Sequence, residues 1–151
     1  MTQKMTPKPW VQFACVCEKA LREPDNVASL IRIVDTYYID PEPLPAAITS
    51  WALPLTIAVS LKSGDVSGEF ELGLRLVRPD GKETSIRKWP VVFRGAEAGV
   101  NLIMGFALEA PEFGLYWFEV LWEEAILARI PLRVKPRVLE ASPESTETAK
   151  S

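Results

Sequence analysis

Apolar side chains recur at every second position along most of this chain, and that alternation limits the possible folds more than any other feature. Between residues 55 and 62, Leu55, Ile57, Val59 and Leu61 alternate with Thr, Ala, Ser and Lys. A period of two is typical of a strand with one buried face. The same pattern predicts four more buried faces: Phe70, Leu72, Leu74 and Leu76; Leu102, Met104, Phe106 and Leu108; Tyr116, Phe118, Val120 and Trp122; Ile126, Ala128, Ile130, Leu132 and Val134.

The front of the chain follows the same rule. Val11, Phe13, Cys15 and Cys17 are expected to share one face of a strand. The segment 29–39 is rich in Ile, Val and Tyr and predicts a single strand that is apolar on both faces. Short helical turns are expected at most at 18–26 and 46–51.

Turn signals between these segments predict an all-β fold. They are spaced about ten residues apart, which is typical of a sandwich or barrel. The clearest is Arg78-Pro79-Asp80-Gly81, because Pro presets the second turn position and Gly accepts a positive φ. We therefore predict a two-sheet antiparallel β-sandwich of about nine strands, with residues 41–54 as a long connection between the sheets.

The segment Glu112-Phe113-Gly114-Leu115-Tyr116 is the most specific local pattern. A Tyr at a strand start, shortly after an acidic residue and a Gly, resembles the tyrosine corner of immunoglobulin-like sandwiches. In that motif the Tyr hydroxyl bonds to backbone a few residues upstream. The Cys-Trp-Cys core of antibody domains is absent from this sequence, so an immunoglobulin-like architecture is expected without that core.

Length and composition predict one domain without a membrane or nucleic-acid partner. We expect an N-terminal extension at 1–8, one β-sandwich domain at 9–136 and a disordered polar tail at 137–151. The first nine residues hold no signal peptide, and no apolar run reaches about 18 residues. The net charge is −3 and the basic residues are scattered, which argues against nucleic-acid binding. A cytoplasmic location is expected.

The sequence contains no histidine, and this argues against an enzyme. Ser-His-Asp and Cys-His catalysis and histidine metal sites are excluded. Cys15 and Cys17 are expected to be reduced thiols in the core and not a metal or redox pair. The carboxylates Glu109, Glu112, Glu119, Glu123 and Glu124 are expected to be solvated. We predict no catalytic residues, no metal and no cofactor.

Two strands carry apolar side chains on the face that the core does not need. Opposite the buried face of 115–122 lie Leu115, Trp117 and Leu121, and Tyr37 lies in the two-sided segment 29–39. We predict these four residues as contacts with another protein or with a second copy in a homo-dimer. The other interpretation, given equal weight, is that another part of the same chain covers these apolar side chains. The alternative function is a small-ligand or carbohydrate-binding module that uses Trp51 and Trp89 as stacking platforms.

Several motifs also resemble a family of small bacterial proteins known only as a domain of unknown function. The opening motif spans 13–18 and 28–35, and it is followed by 53–59. The closing motif spans 114–120 and 128–132. The resemblance covers roughly residues 8–135, and it implies a bacterial protein with a β-sandwich fold. It implies no activity, substrate or catalytic residue.

Overall fold

The computed structural model describes residues 7–25, 27–40 and 51–137, and all of the regular structure in them is β-strand. The all-β class predicted from the alternation is confirmed. No helix long and apolar enough to span a membrane occurs in these described ranges. The strands are β1 Trp10–Arg22, β2 Ala28–Val34, β3 Thr36–Ile39, β4 Trp51–Val77, β5 Glu83–Ala110, β6 Gly114–Trp122 and β7 Ala125–Pro136.

The strands are hydrogen-bonded in the order β2-β1-β4-β6-β7-β3, and β5 pairs with β4 outside this path. Every pairing in the described ranges is antiparallel except that of β3 with β7, which is parallel. This corrects the purely antiparallel prediction. The chain stops pairing with β1 at the end of β2, and β3 then pairs with β7. Between β2 and β3, the Asp35 carbonyl accepts a hydrogen bond from the Arg133 backbone N–H at 2.9 Å.

A long hairpin of β4 and β5 explains why the described ranges hold seven strands and not about nine. The segments 55–62 and 69–78 belong to one strand, because the backbone stays paired through irregular register between Lys62 and Ser67. The predicted turn at Arg78-Pro79-Asp80-Gly81 is confirmed. Its Gly81 N–H donates to the Arg78 carbonyl at 2.9 Å, and Gly81 has φ 88°.

Most of the hydrophobic core lies where the alternation predicts it. Leu55, Ile57, Val59 and Leu61 of β4 are all buried. The predicted inner faces of 70–76 and 102–108 are buried or half-buried throughout. The predicted inner face of β6 is buried throughout and includes Tyr116 and Phe118. Edge-on packing of Phe106 against Phe118, with ring centres 5.7 Å apart, joins β5 to β6.

Three local predictions about the front of the chain are wrong. The segment 29–39 is two strands that break at Asp35 and pair with different neighbours. Val11 packs against the core while Phe13 is 40% exposed, because a register shift between them turns the strand. The helical turn expected at 18–26 is absent from its described residues, since β1 runs on to Arg22 in a hairpin with β2. The helix expected at 46–51 lies outside the described residues except Trp51, which begins β4.

The tyrosine corner is present as predicted. The buried Tyr116 hydroxyl donates to the Glu112 carbonyl at 2.6 Å, four residues upstream. Gly114 makes the corner possible, because it has φ 139° and a Cβ there would lie 2.9 Å from Pro79. The corner therefore fixes the entry into β6, and Gly114 lies against Pro79 of the β4–β5 turn.

Replacing Tyr116 by Phe should reduce the free energy of unfolding by about 1 kcal/mol at neutral pH, because the Glu112 carbonyl loses its donor. Burial raises the pKa of Tyr116 above its usual value of 10.0. Because the folded chain holds the Tyr116 proton more tightly than the unfolded chain does, the full stabilising effect of the protonated Tyr116 is present below pH 10. This contribution is lost as the pH rises through the folded-state pKa. The stability gap between wild type and Tyr116→Phe should therefore narrow above pH 10 in urea unfolding.

Tyr38→Phe is the matched control, because Tyr38 is 53% exposed. It should leave stability unchanged at neutral pH. A gap between wild type and Tyr116→Phe that stays constant above pH 10 would contradict this account of the corner.

Candidate functional site

The side chains on the outward side of β6 form the main candidate site. Because Tyr116, Phe118, Val120 and Trp122 point into the core, the alternate residues point away from it. We call Leu115, Trp117, Glu119 and Leu121 the β6 face. The three apolar members are half-buried by neighbours on β4 and β7. The structure thus brings Leu115, Trp117 and Leu121 together on one surface.

A carboxylate at the middle of the β6 face is removed from water. Glu119 is only 4% exposed, although it points away from the core. Arg75 of β4 donates to its Oε1 from Nη2 at 2.6 Å and from Nε at 2.9 Å. Arg129 of β7 donates to Oε2 from Nε at 3.1 Å. The expectation of a solvated Glu119 is therefore wrong, because the two arginines cover it.

The arginines also shape the surroundings of this carboxylate. The Arg129 guanidinium lies 4.1 Å from the centre of the Trp117 ring, in cation–π contact. The hydrogen bond to Glu119 raises the pKa of Arg75 further above its usual range, and Glu83 lies 3.5 Å away on its other side. The two positive charges of Arg75 and Arg129 thus balance the two negative charges of Glu119 and Glu83.

Ile126 is a member of this surface that the alternation assigns to the wrong side. The prediction places it inward with Ala128, but it is 44% exposed and pairs with Leu121. The register shifts between Val120 and Leu121, because β7 holds one extra residue between Ile126 and Ala128. This bulge places Ile126 on the opposite side of the strand from Ala128. The short Glu123-Glu124 turn next to it is the only sequence signal near this irregularity.

A shallow groove lies at the Leu121 end of the β6 face. Its volume is about 290 Å³, and it is lined by Phe70, Glu71, Gly73, Lys88, Leu121 and Glu123. Gly73 forms the floor, since a Cβ there would meet Leu121 at 3.6 Å. The groove has apolar walls from Phe70 and Leu121 and is flanked by the carboxylates of Glu71 and Glu123.

The other predicted contact and stacking residues lie elsewhere. Tyr37 packs against the core and lines a cleft with Glu18 and Arg32, so it does not join the β6 face. Trp89 also packs against the core, and the Arg87 guanidinium lies 5.5 Å from its ring. Trp51 begins β4, and its side chain lies outside the described residues. The Trp89 side chain lines a small apolar cavity together with core residues such as Leu74 and Met104.

The two thiols lie in β1 and differ in burial. Cys15 is half-buried, Cys17 is buried, and both are free. Burial raises the pKa of each thiol above its usual value of 9.0, so both are protonated and weakly nucleophilic at neutral pH. In the described ranges no three Cys, Asp or Glu side chains lie close enough together to hold a metal ion.

Three solved structures are similar in part to this chain. β-Glucosidase 3B from Thermotoga neapolitana has 11% sequence identity over 53% of this chain and 14% of its own, with a TM-score of 0.45. The β-glucosidase from Listeria innocua has 15% identity over 61% and 15%, with a TM-score of 0.44. An immunoglobulin-like protein from Pseudomonas aeruginosa has 17% identity over 84% and 96%, with a TM-score of 0.40.

This chain spans 14–15% of the length of the two β-glucosidases. All three scores are low, so the fold description rests on strand pairing and burial in this chain. No curated protein matches the sequence. Residues 12–135 match the sequence pattern of one family over most of the chain, as the opening and closing motifs predict. The chain belongs to the family of unknown function DUF6941.

Proposed function

We propose that this protein is a non-enzymatic binding module of the cytoplasm that acts by protein–protein contact through the β6 face. The observation that carries the proposal is the outward apolar row of Leu115, Trp117 and Leu121. This row surrounds the carboxylate of Glu119, which is already paired with two arginines. Trp and Arg are enriched where protein interfaces bind most strongly. Ile126 extends the row with exposed apolar surface.

The buried Glu119 is what makes this surface suited to a partner. An unpaired carboxylate would oppose burial, because removing a charge from water costs several kcal/mol. Here Arg75 and Arg129 have already replaced that water in the free protein. A partner can therefore cover the middle of the β6 face without leaving an uncompensated charge.

We further propose that the strands form the two sheets of an immunoglobulin-like sandwich. In support, residues 56–62 of β4 pair with β1, whereas residues 72–77 pair with β6. Irregular register between Lys62 and Ser67, with Gly64 at φ 59°, marks a bend between these two parts. In this arrangement the β6 face is the outer surface of one sheet.

Photo-cross-linking in the native cell tests the contact. A benzophenone amino acid placed at Ile126 should give one discrete protein adduct, because Ile126 lies beside Leu121 on the β6 face. The same residue placed at Ile33 is the matched control, since Ile33 is an isoleucine of β2 that is 68% exposed. It should give no adduct of that mass. Absence of an adduct from Ile126, or equal adducts from both positions, would contradict the proposal.

A further inference from the structure

We propose that the β6 face binds a second copy of this chain around a two-fold axis near Glu119. This inference rests on the proposed function and names the partner. In a two-fold contact the same patch serves both subunits, so its two ends must complement each other. The Leu115 end of one copy then lies on the Leu121 end of the other, with Trp117 and Glu119 near the axis.

The charges at the two ends are opposite. Arg133 pairs with Leu115 across β6 and β7, and Lys135 follows it on the same side of β7. Both are exposed, and neither forms an ion pair within the described ranges. Glu71 and Glu123 flank the groove at the Leu121 end. A two-fold rotation therefore brings the basic end of each copy onto the acidic end of the other.

The pairing of Glu71 with Lys88 leaves this complementarity in place. Lys88 Nζ lies 3.8 Å from Glu71 Oε1, and both side chains are about two-thirds exposed, so this ion pair is weak. Glu123 makes no ion pair with any described residue. The acidic end thus keeps a net negative charge with Lys88 included.

Shape also differs between the two ends. The groove of about 290 Å³ above Gly73 lies at the Leu121 end, and it is several times the ~30 Å³ share of one water molecule. Leu115 occupies the opposite end and is half-buried there. In the two-fold arrangement Leu115 of one copy faces the groove of the other.

Near the two-fold axis, the residues around Glu119 of one copy face the same residues of the other copy. Association therefore requires that the charges around Glu119 balance. Like charges facing each other oppose association. Arg75 and Arg129 are positive, whereas Glu119 and Glu83 are negative, so these four charges cancel. The cluster can therefore lie on its own copy without like-charge repulsion.

Charge reversal tests this arrangement by sedimentation equilibrium of the full chain. One variant carries Arg133→Glu and Lys135→Glu, and the other carries Glu71→Lys and Glu123→Lys. Wild type should dimerise with rising concentration. Each variant alone should dimerise at least roughly tenfold more weakly, because like charges then face each other. An equimolar mixture should recover the wild-type dimer, since both contacts between the two variants are again opposite in charge.

The replaced side chains are exposed, so unchanged thermal unfolding serves as the check that each variant folds. A monomeric wild type, variants that dimerise as wild type does, or a mixture that fails to recover would each overturn the inference. A monomeric wild type together with a cross-linked adduct of an unlike protein from Ile126 would overturn the second copy alone and leave the proposed function standing.

Discussion

Replacing Gly114 by Ala should reduce the free energy of unfolding by about 2–4 kcal/mol, measured by urea unfolding at neutral pH. Two effects add. The φ of 139° at Gly114 is one that residues with a Cβ rarely adopt. The new Cβ would also lie 2.9 Å from both Cβ and Cγ of Pro79, a stiff ring that cannot rotate away.

Gly105→Ala is the matched control for this prediction. Gly105 lies in β5, and a Cβ there meets no atom within 4 Å. The control variant should stay within about 0.5 kcal/mol of wild type, as surface changes usually do. Equal stabilities for Gly114→Ala and Gly105→Ala would show that the corner does not depend on contact between Gly114 and Pro79.

Replacing Glu119 by Gln should cost about 1–3 kcal/mol of stability, because three charge-assisted hydrogen bonds from Arg75 and Arg129 lose their anionic acceptor. The loss stays below that of a fully buried pair, since the Arg129 side chain is half exposed and can regain water. Guanidinium is unsuitable for this measurement because it screens charge, so urea is the denaturant.

Glu124→Gln controls for the loss of one negative charge, because Glu124 is exposed at the β6–β7 turn. It should leave stability unchanged. Glu119→Gln should also weaken dimerisation, since Arg129 would no longer be fixed beside Trp117. Wild-type stability and wild-type dimerisation in Glu119→Gln would mean that the cluster is incidental to the β6 face.

Local physics made much of this fold predictable from the sequence. A period of two identifies Leu55, Ile57, Val59 and Leu61 as buried, because every strand residue must point to one side or the other. The turn at 78–81 depends on residues that are adjacent in the chain. The corner at Tyr116 spans only four residues.

Features that depend on distant residues or on one extra residue were not predictable. Ile126 faces outward because of a register shift, which alternation alone cannot reveal. Glu119 is buried by Arg75, which lies 44 positions away in the chain. The segment 29–39 divides at Asp35 because β7 offers a second pairing partner. Each of these outcomes is set by tertiary pairing and not by local preference.

The placement of the candidate residues was therefore predictable in part. The sequence places Leu115, Trp117 and Leu121 on one side of β6, and the structure places them on one surface. The sequence also suggests Tyr37, which packs against the core on a separate strand. The neighbouring positions in the sequence predict neither the pairing of Glu119 with arginines nor the groove above Gly73.

The most direct measurement of the central claim is the position of the cross-link formed from a benzophenone at Ile126. Tandem mass spectrometry of isotopically mixed chains separates a link between two copies from a link within one. The two-fold contact predicts a link from Ile126 of one copy to the Leu115–Trp117 part of the other, since the Leu121 end faces the Leu115 end. A link to residues of β1 or β2, or no link between copies, would contradict it.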